Sequence, residues 1–347
     1  MEFDLIERIR RHTDVHRDDV LAGIGDDAAV VAVPAGRELA IAVDTLVEGV
    51  HFPVGTAPAD IGWKALAVNL SDLAAMGATP AWALLALTLP DSDAAFVDGL
   101  ARGFAELATP LRLALIGGDT TRGPLTVTVA VHGFTAPGEA LLRSGARVGD
   151  VVMVTGTLGD AAAGLRCLAE ADASPYVALI ERLNRPTPRV AAGNGLRGIA
   201  TACIDVSDGL VADLAHICKA SGVGAEIDAA MLPRSSALLT HFDDADTIDF
   251  ALSGGDDYEL CFTVPADRAG EVSANMARLG GGATRIGRIV EGEGLKFGRV
   301  ILRAQGTILE IELTAALFPP SVLQYDTIGS NYNVASCDCR QRIGCAL

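Results

Sequence analysis

Nine acidic side chains stand where carboxylates tend to gather ligands. Asp26 and Asp27 follow a Gly-x-Gly turn, Asp44 and Asp205 end apolar runs, and Asp119 and Asp256 each follow a Gly-Gly pair. Asp208 lies three residues after Asp205, Asp257 adjoins Asp256, and Asp72 sits inside the apolar stretch 59–80. Each alone also reads as an ordinary surface turn or, for Asp72, as a carboxyl bonded to backbone in a core helix. Recurrence of one device in both halves of the chain is what points to ligand binding. Oxygen donors in this number, with no Cys/His cluster among them, suit Mg²⁺ and not zinc, and Mg²⁺ usually shares its coordination with substrate phosphates. The chemistry implied is phosphoryl transfer assisted by several metal ions. A phosphate monoester acceptor has a second pKa of about 6 and is already anionic at neutral pH, so such a site needs no general base.

The elements that must position these acids follow from pattern and punctuation. Residues 59–80 read as a helix opening near Asp60, a candidate cap, and closing at Gly77 before Pro80. Its surroundings are nearly all apolar, so it should be buried on most sides, with Asn69 and Asp72, three apart, on one face. Strands are expected at 30–33, 39–45, 82–89, 113–116, 125–134, 151–155 and 200–206, and an amphipathic helix at 93–108. Paired glycines before Asp119 and Asp256 would let backbone approach a ligand, and a second apolar strand near 248–252 is expected to lead into the latter turn. His132 falls on the alternation of its strand and reads as a satisfied strand histidine. Arg143 and Arg147 flank Gly145 in a loop suited to phosphate, and the turn 156–164 leads into a helix whose N-terminus could hold an anion.

Composition narrows the class. Of 347 residues, half are hydrophobic, and 27 basic against 44 acidic residues leave a net charge of −17. Nucleic acid and anionic membrane would be repelled. No run approaches the ~20 apolar residues of a membrane span, and the charged N-terminal helix lacks the apolar core of a signal peptide, so a cytoplasmic location is expected. Cys167, Cys203, Cys218 and Cys261 are scattered through apolar sequence as buried hydrophobes. There is no Gly-Lys dipeptide for a Walker A loop. His16-Arg17-Asp18 mimics a protein-kinase catalytic loop without its companions and is treated as chance.

Six stretches in series resemble the thiamine-monophosphate kinase family: Gly-Ile-Gly-Asp-Asp-Ala (23–28), Asp-Thr-Leu-Val-Glu-Gly-Val-His-Phe (44–52), Lys-Ala-Leu-Ala-Val-Asn-Leu-Ser-Asp-Leu-Ala-Ala-Met-Gly-Ala (64–78), Ile-Gly-Gly-Asp-Thr-Thr-Arg-Gly (116–123), Ile-Asp-Val-Ser-Asp-Gly-Leu (204–210) and Ser-Gly-Gly-Asp-Asp-Tyr-Glu-Leu (253–260). The resemblance covers roughly residues 1–318. It implies an α/β (α+β) fold of two domains shared with aminoimidazole ribonucleotide synthetase: residues 1–137 with a sheet that dimerises, and residues 138–318 closing over the nucleotide. It implies a homodimer that converts ATP and thiamine monophosphate to ADP and thiamine diphosphate, with Mg²⁺. Carried over by motif, the metal ligands are Asp27, Asp44, Thr45, Asp72, Asp119, Asp205 and Asp208. The ATP contacts are Asp27, Gly118, Asp119, Arg143 and Ser207, and the thiamine-phosphate contacts are His51 and Asp256. Position 256 is commonly Glu in the family, so this chain reaches with a shorter arm.

Residues 319–347 depart from the family. Tyr325 stands as counterpart of an aromatic residue that packs on substrate, and 330–347, with three cysteines, reads as an extension without function or an altered reading frame. Two enzymes of the same superfamily are alternatives: a selenophosphate synthetase, whose reactive N-terminal Cys is missing, and a hydrogenase-maturation enzyme, whose acceptor Cys is terminal whereas Cys345 is third from the end. A nucleotide-binding regulatory protein without turnover is the third.

Overall fold

The structure is a computed structural model describing residues 2–279, 281–304 and 307–314; Tyr325 and the tail 319–347 lie outside them. The first half contains α1 (Glu2–His12), β1 (Val20–Ala22), β2 (Val30–Val31), β3 (Glu38–Val47), α2 (Pro58–Ala75), β4 (Thr79–Leu89), α3 (Ala94–Ala108), β5 (Ala114–Arg122) and β6 (Thr126–Thr135). The second contains β7 (Val151–Thr155), α4 (Asp160–Cys167), α5 (Val177–Asn184), α6 (Val190–Leu196), β8 (Ala202–Val206), α7 (Leu210–Ser221), β9 (Gly224–Ile227), α8 (Ser236–His241), α9 (Asp244–Ser253), β10 (Glu259–Val264), α10 (Ala269–Arg278), β11 (Ala283–Val290), β12 (Gly294–Ala304) and β13 (Thr307–Thr314). Two main sheets result, a four-stranded one in the order β3-β6-β4-β5 and a seven-stranded one in the order β13-β12-β9-β11-β7-β10-β8.

Helix α2 lies between them. Proline at its first position fits the fixed φ of a helix start. Gly77, at φ +64, ends it: the Ala78 N–H returns to the Leu73 carbonyl and the Gly77 N–H to the Ala74 carbonyl, a Schellman closure. Thirteen of its eighteen residues are buried, so one face is not enough to describe it. Leu66, Leu70 and Leu73 join a single apolar core that runs from Val127 and Val129 of β6 to Leu260 and Phe262 of β10. The two sheets are therefore fused through α2 and do not merely flank a cleft.

Alternation along β6 explains how the four-stranded sheet is oriented. Val127, Val129 and Val131 are buried on the helix side, while Thr128, Ala130 and His132 point to the other face, where Ile41 and Val43 of β3 are 62% and 60% exposed. His132 is on this face with no partner for its buried Nδ1, so it is not the satisfied histidine expected.

Four further sequence expectations need correcting. Asp60 does not cap α2; it accepts a hydrogen bond from Arg185 Nε at 2.5 Å. Strand β5 does not break at Gly117-Gly118-Asp119 but runs on to Arg122, and Gly118 is required because a Cβ there would collide with the Leu85 carbonyl of β4. The run 248–252 belongs to helix α9, whose first turn is capped by Asp243 accepting from the Asp246 N–H. At the start of α4, anion binding is pre-empted: Asp257 Oδ2 accepts from the Gly159 N–H at 2.7 Å. Arg17 of the kinase-like tripeptide is structural, forking onto Asp19, which also accepts from Trp82 Nε1. Cys167, Cys203, Cys218 and Cys261 are buried, as expected, and burial pushes the Cys218 thiol up to about 11.

Close approach of α2 and α3 depends on glycine. A Cβ at Gly62 would meet the Leu100 carbonyl, and one at Gly103 the Ala59 carbonyl. Gly103→Ala should lower the free energy of unfolding by about 1–3 kcal/mol, read from the urea midpoint; an unchanged midpoint would mean the helices pack less closely than described.

Candidate active site

Three of the expected acids meet around α2. Asp44 arrives on β3 and is half-buried; its backbone N–H donates to Asn69 Oδ1 at 3.0 Å, and Asn69 Nδ2 donates in turn to the Ala65 carbonyl at 2.9 Å. Asp205 arrives from the other sheet, buried at the end of β8, and its Oδ2 accepts from Ser71 Oγ at 2.7 Å. Asp72 sits on the next position of α2. Burial, then the charges of Asp205 and Asp44, push the Asp72 carboxyl up to about 7, against a weaker opposing pull from Arg143. Burial likewise raises Asp205 and Asp44. Arg143 is exposed, and its charge opposes the rise at both Asp72 and Asp205.

A second cluster shows what the fold does when it intends to neutralise a buried acid. Glu259, fully buried, takes a two-pronged contact from Arg189, a hydrogen bond from Arg182 at 3.1 Å and another from Thr155 Oγ1 at 2.6 Å. Of the α2 acids, Asp205 receives one hydroxyl, and Arg143 and His51, both exposed, act on the group only by their charge. Burial with too little positive charge is the signature expected of carboxylates that await a cation.

The loop after β8 carries Ser207 and Asp208. It is fixed by Asp213 of α7, a residue the motifs did not single out: Asp213 Oδ2 accepts the backbone N–H groups of Ser207 and Asp208 at 3.0 and 3.1 Å. Asp208 itself is exposed. The loop 254–258 closes against the same strand end, with the Asp256 N–H on the Ser207 carbonyl and the Tyr258 N–H on the Val206 carbonyl. A Cβ at Gly255 would strike the Ser207 carbonyl, so this glycine serves chain packing. Asp256 and Tyr258 both hold positive φ, +67 and +51, a conformation that costs a non-glycine residue roughly 1–2 kcal/mol. Asp256 is engaged on both oxygens, by Lys64 Nζ at 2.8 Å and Tyr258 Oη at 2.8 Å.

His51 is exposed, and its Nδ1 accepts from the Val47 N–H at 3.0 Å, leaving the ring proton on Nε2. Asp27 and Asp119 are exposed, and neither side chain makes a hydrogen bond or ion pair to the group among the described residues. Thr45 is turned away. As the neighbour of Asp44 in an extended strand it points to the opposite face, where its hydroxyl pairs with Thr128 at 2.9 Å. Among the described residues no three of His, Cys, Asp and Glu form a ready-made metal cage. Mg²⁺ does not require one, since it is commonly held by one or two carboxylates with phosphate oxygens and water.

Profiles of the AIR synthase related protein family match residues 25–135 as its N-terminal domain and 147–299 as its C-terminal domain. Thiamine-monophosphate kinase of Escherichia coli strain K12 is 51% identical over 303 residues, 86% of this chain and 93% of that protein. The chain belongs to the thiamine-monophosphate kinase family. Members of this family are enzymes, and the two-lobed α/β fold is shared with them. The crystal structure of the kinase from Stenotrophomonas maltophilia K279a superimposes with a TM-score of 0.80 at 51% identity, covering 85% of this chain and 96% of that one. AaThiL, solved in complex with AMPPCP and TMP, superimposes with a TM-score of 0.69 at 34% identity, covering 90% and 95%. No described helix is long and apolar enough to cross a membrane.

The raised Asp72 carboxyl makes stability depend on pH. The unfolded chain releases this proton near 3.8 and the folded chain near 7. Metal-free protein should therefore lose stability as pH rises between these values, by roughly 4 kcal/mol from this residue once both states are ionised. In EDTA, Asp72→Asn should remove much of the loss in urea stability between about pH 5 and pH 8, and with Mg²⁺ restored its turnover should fall by orders of magnitude. A variant as pH-sensitive as the parent and near-normal in turnover would make Asp72 an ordinary core carboxyl.

Proposed function

We propose that the chain transfers the γ-phosphoryl group of ATP directly, in line, to the phosphate of thiamine monophosphate, giving ADP and thiamine diphosphate. The observation that carries this reading is the meeting of Asp44, Asp72 and Asp205 around one buried helix, short of positive charge, in a chain half-identical to a named kinase. Complex formation of AaThiL with AMPPCP, an ATP analogue, and TMP supports the pairing of ligands.

The donor set fits Mg²⁺: it is all oxygen, and its buried carboxylates are uncompensated. Asp44, Asp72 and Asp205, joined by Asp27, Asp119 and Asp208, would hold it. Bound Mg²⁺ supplies neutralisation where two anions must meet. The chain's own residues do the rest. Residues 1–137 bring Asp27, Gly118 and Asp119 to the nucleotide, and residues 138–318 bring Arg143 and the Ser207 loop that Asp213 holds. His51 offers its Nε2–H to thiamine monophosphate, and Asp256 lies across from it. An acceptor already ionised needs no base, so no residue is assigned that role. The enzyme works as a cytoplasmic homodimer whose copies join through the outer face of the four-stranded sheet, where Ile41, Val43 and Leu84 are exposed.

A coupled ADP-release assay tests the reaction. Release should depend on thiamine monophosphate and Mg²⁺, and no labelled phosphoprotein should be trapped from γ-labelled ATP. Release indifferent to thiamine monophosphate, or a phosphoenzyme, would overturn it. Replacing Ile41 and Val43 by Lys should halve the mass seen by light scattering; an unchanged mass would move the dimer contact elsewhere.

A further inference from the structure

Lys64 is an ammonium buried to 3% exposure in the middle of α2, and the reaction described above gives it no task. Its two partners lie far apart in the chain. Nζ donates to the His51 carbonyl at 3.1 Å and to Asp256 Oδ2 at 2.8 Å, so it joins the loop after β3 to the loop before β10. Those loops carry the two side chains proposed to meet thiamine monophosphate. On the far side of Asp256, Tyr258 Oη donates to Oδ1 at 2.8 Å. The loop so held is the one with two non-glycine residues at positive φ, a shape that surrounding contacts must maintain.

We propose that Lys64 is a positioning residue for the acceptor substrate: it fixes the separation of His51 and Asp256 across the two lobes, with Tyr258 as the second brace on the same carboxylate. This rests on the reading of His51 and Asp256 as acceptor contacts. An Asp, one methylene shorter than the family's usual Glu, is reached on both oxygens by donors of the chain itself. Its orientation is thereby set before substrate arrives, which is how a site reduces the ordering cost of binding. The braced loop meets Ser207 only through backbone, the Asp256 N–H on the Ser207 carbonyl, a bond that the side-chain substitutions below leave in place, and no side chain of the brace bonds Arg143 or the α2 acids, so the effect should fall on the acceptor.

The test is steady-state kinetics of Lys64→Met, Asp256→Asn, the double variant and Tyr258→Phe. Lys64→Met should raise the KM for thiamine monophosphate about tenfold or more while the KM for ATP stays within about twofold. In the Asp256→Asn background the same substitution should add less than about twofold, because its route is already cut. An acceptor KM within twofold of the parent, a parallel rise for ATP, or an undiminished effect in the Asp256→Asn background would each overturn the proposal. Where Lys64→Met does not fold, Tyr258→Phe decides, since it removes one hydroxyl and no charge: a rise of about threefold in acceptor KM alone supports the brace, and no change refutes it. Parent enzyme with no acceptor-dependent ADP release would sink the kinase reading instead. In that event amide exchange still tests the brace, for residues 254–258 should exchange faster in Tyr258→Phe, and equal rates would refute it.

Discussion

The hydrogen bond from Ser71 to Asp205 is the contact on which the site depends, because it joins the buried helix of one lobe to the strand-end acid of the other. A hydroxyl can orient a carboxylate in the interior but cannot neutralise it. Asn69 does the matching service for Asp44, through the backbone, from the same helix. With Asp72 alongside, α2 gathers acids from two sheets and leaves them in debt of positive charge. The Glu259 cluster, two arginines on one carboxylate, shows that this fold supplies cations where it needs stability. Local inconsistency of this kind is tolerated where function requires it.

The apolar core explains how such a group is held. Leucines of α2 pack toward both sheets within one continuous cluster, and glycines bring α3 close against its outer side. Arg185 adds a tie, reaching Asp60 and lying 5.3 Å from the Trp63 ring centroid. Together with Lys64 on Asp256, these contacts run along the whole helix, so the relative placement of the lobes is written largely in one element.

Much of this was legible in the sequence. Helix α2 announces itself by a continuous apolar run and Gly77, and Asp72 by being the acid inside that run, although the helix starts at Pro58 and not at a cap on Asp60. Strand β7 and helix α3, with Asp93 as its cap, fall where pattern and punctuation put them. Other parts were hidden for physical reasons. Ser71 and Asp205 are 134 residues apart and Lys64 and Asp256 are 192 apart, so no local signal pairs them. Residues 248–252 are a short apolar run, which periodicity cannot assign between helix and strand; the Asp243–Asp246 spacing was the signal available. Gly-Gly before an acid suggested ligand approach, but Gly118 and Gly255 are demanded by neighbouring carbonyls. Thr45 was carried along with Asp44 although alternation alone turns it to the other face.

The central claim is that carboxylates of both lobes serve one nucleotide site. Anomalous diffraction from crystals grown with Mn²⁺ and a non-hydrolysable ATP analogue tests it most directly. The account predicts manganese peaks in contact with nucleotide phosphates and with side chains from both sets, Asp44 or Asp72 on one side and Asp205 or Asp208 on the other. Manganese and nucleotide held by residues of a single lobe, with the α2 acids bare, would contradict it.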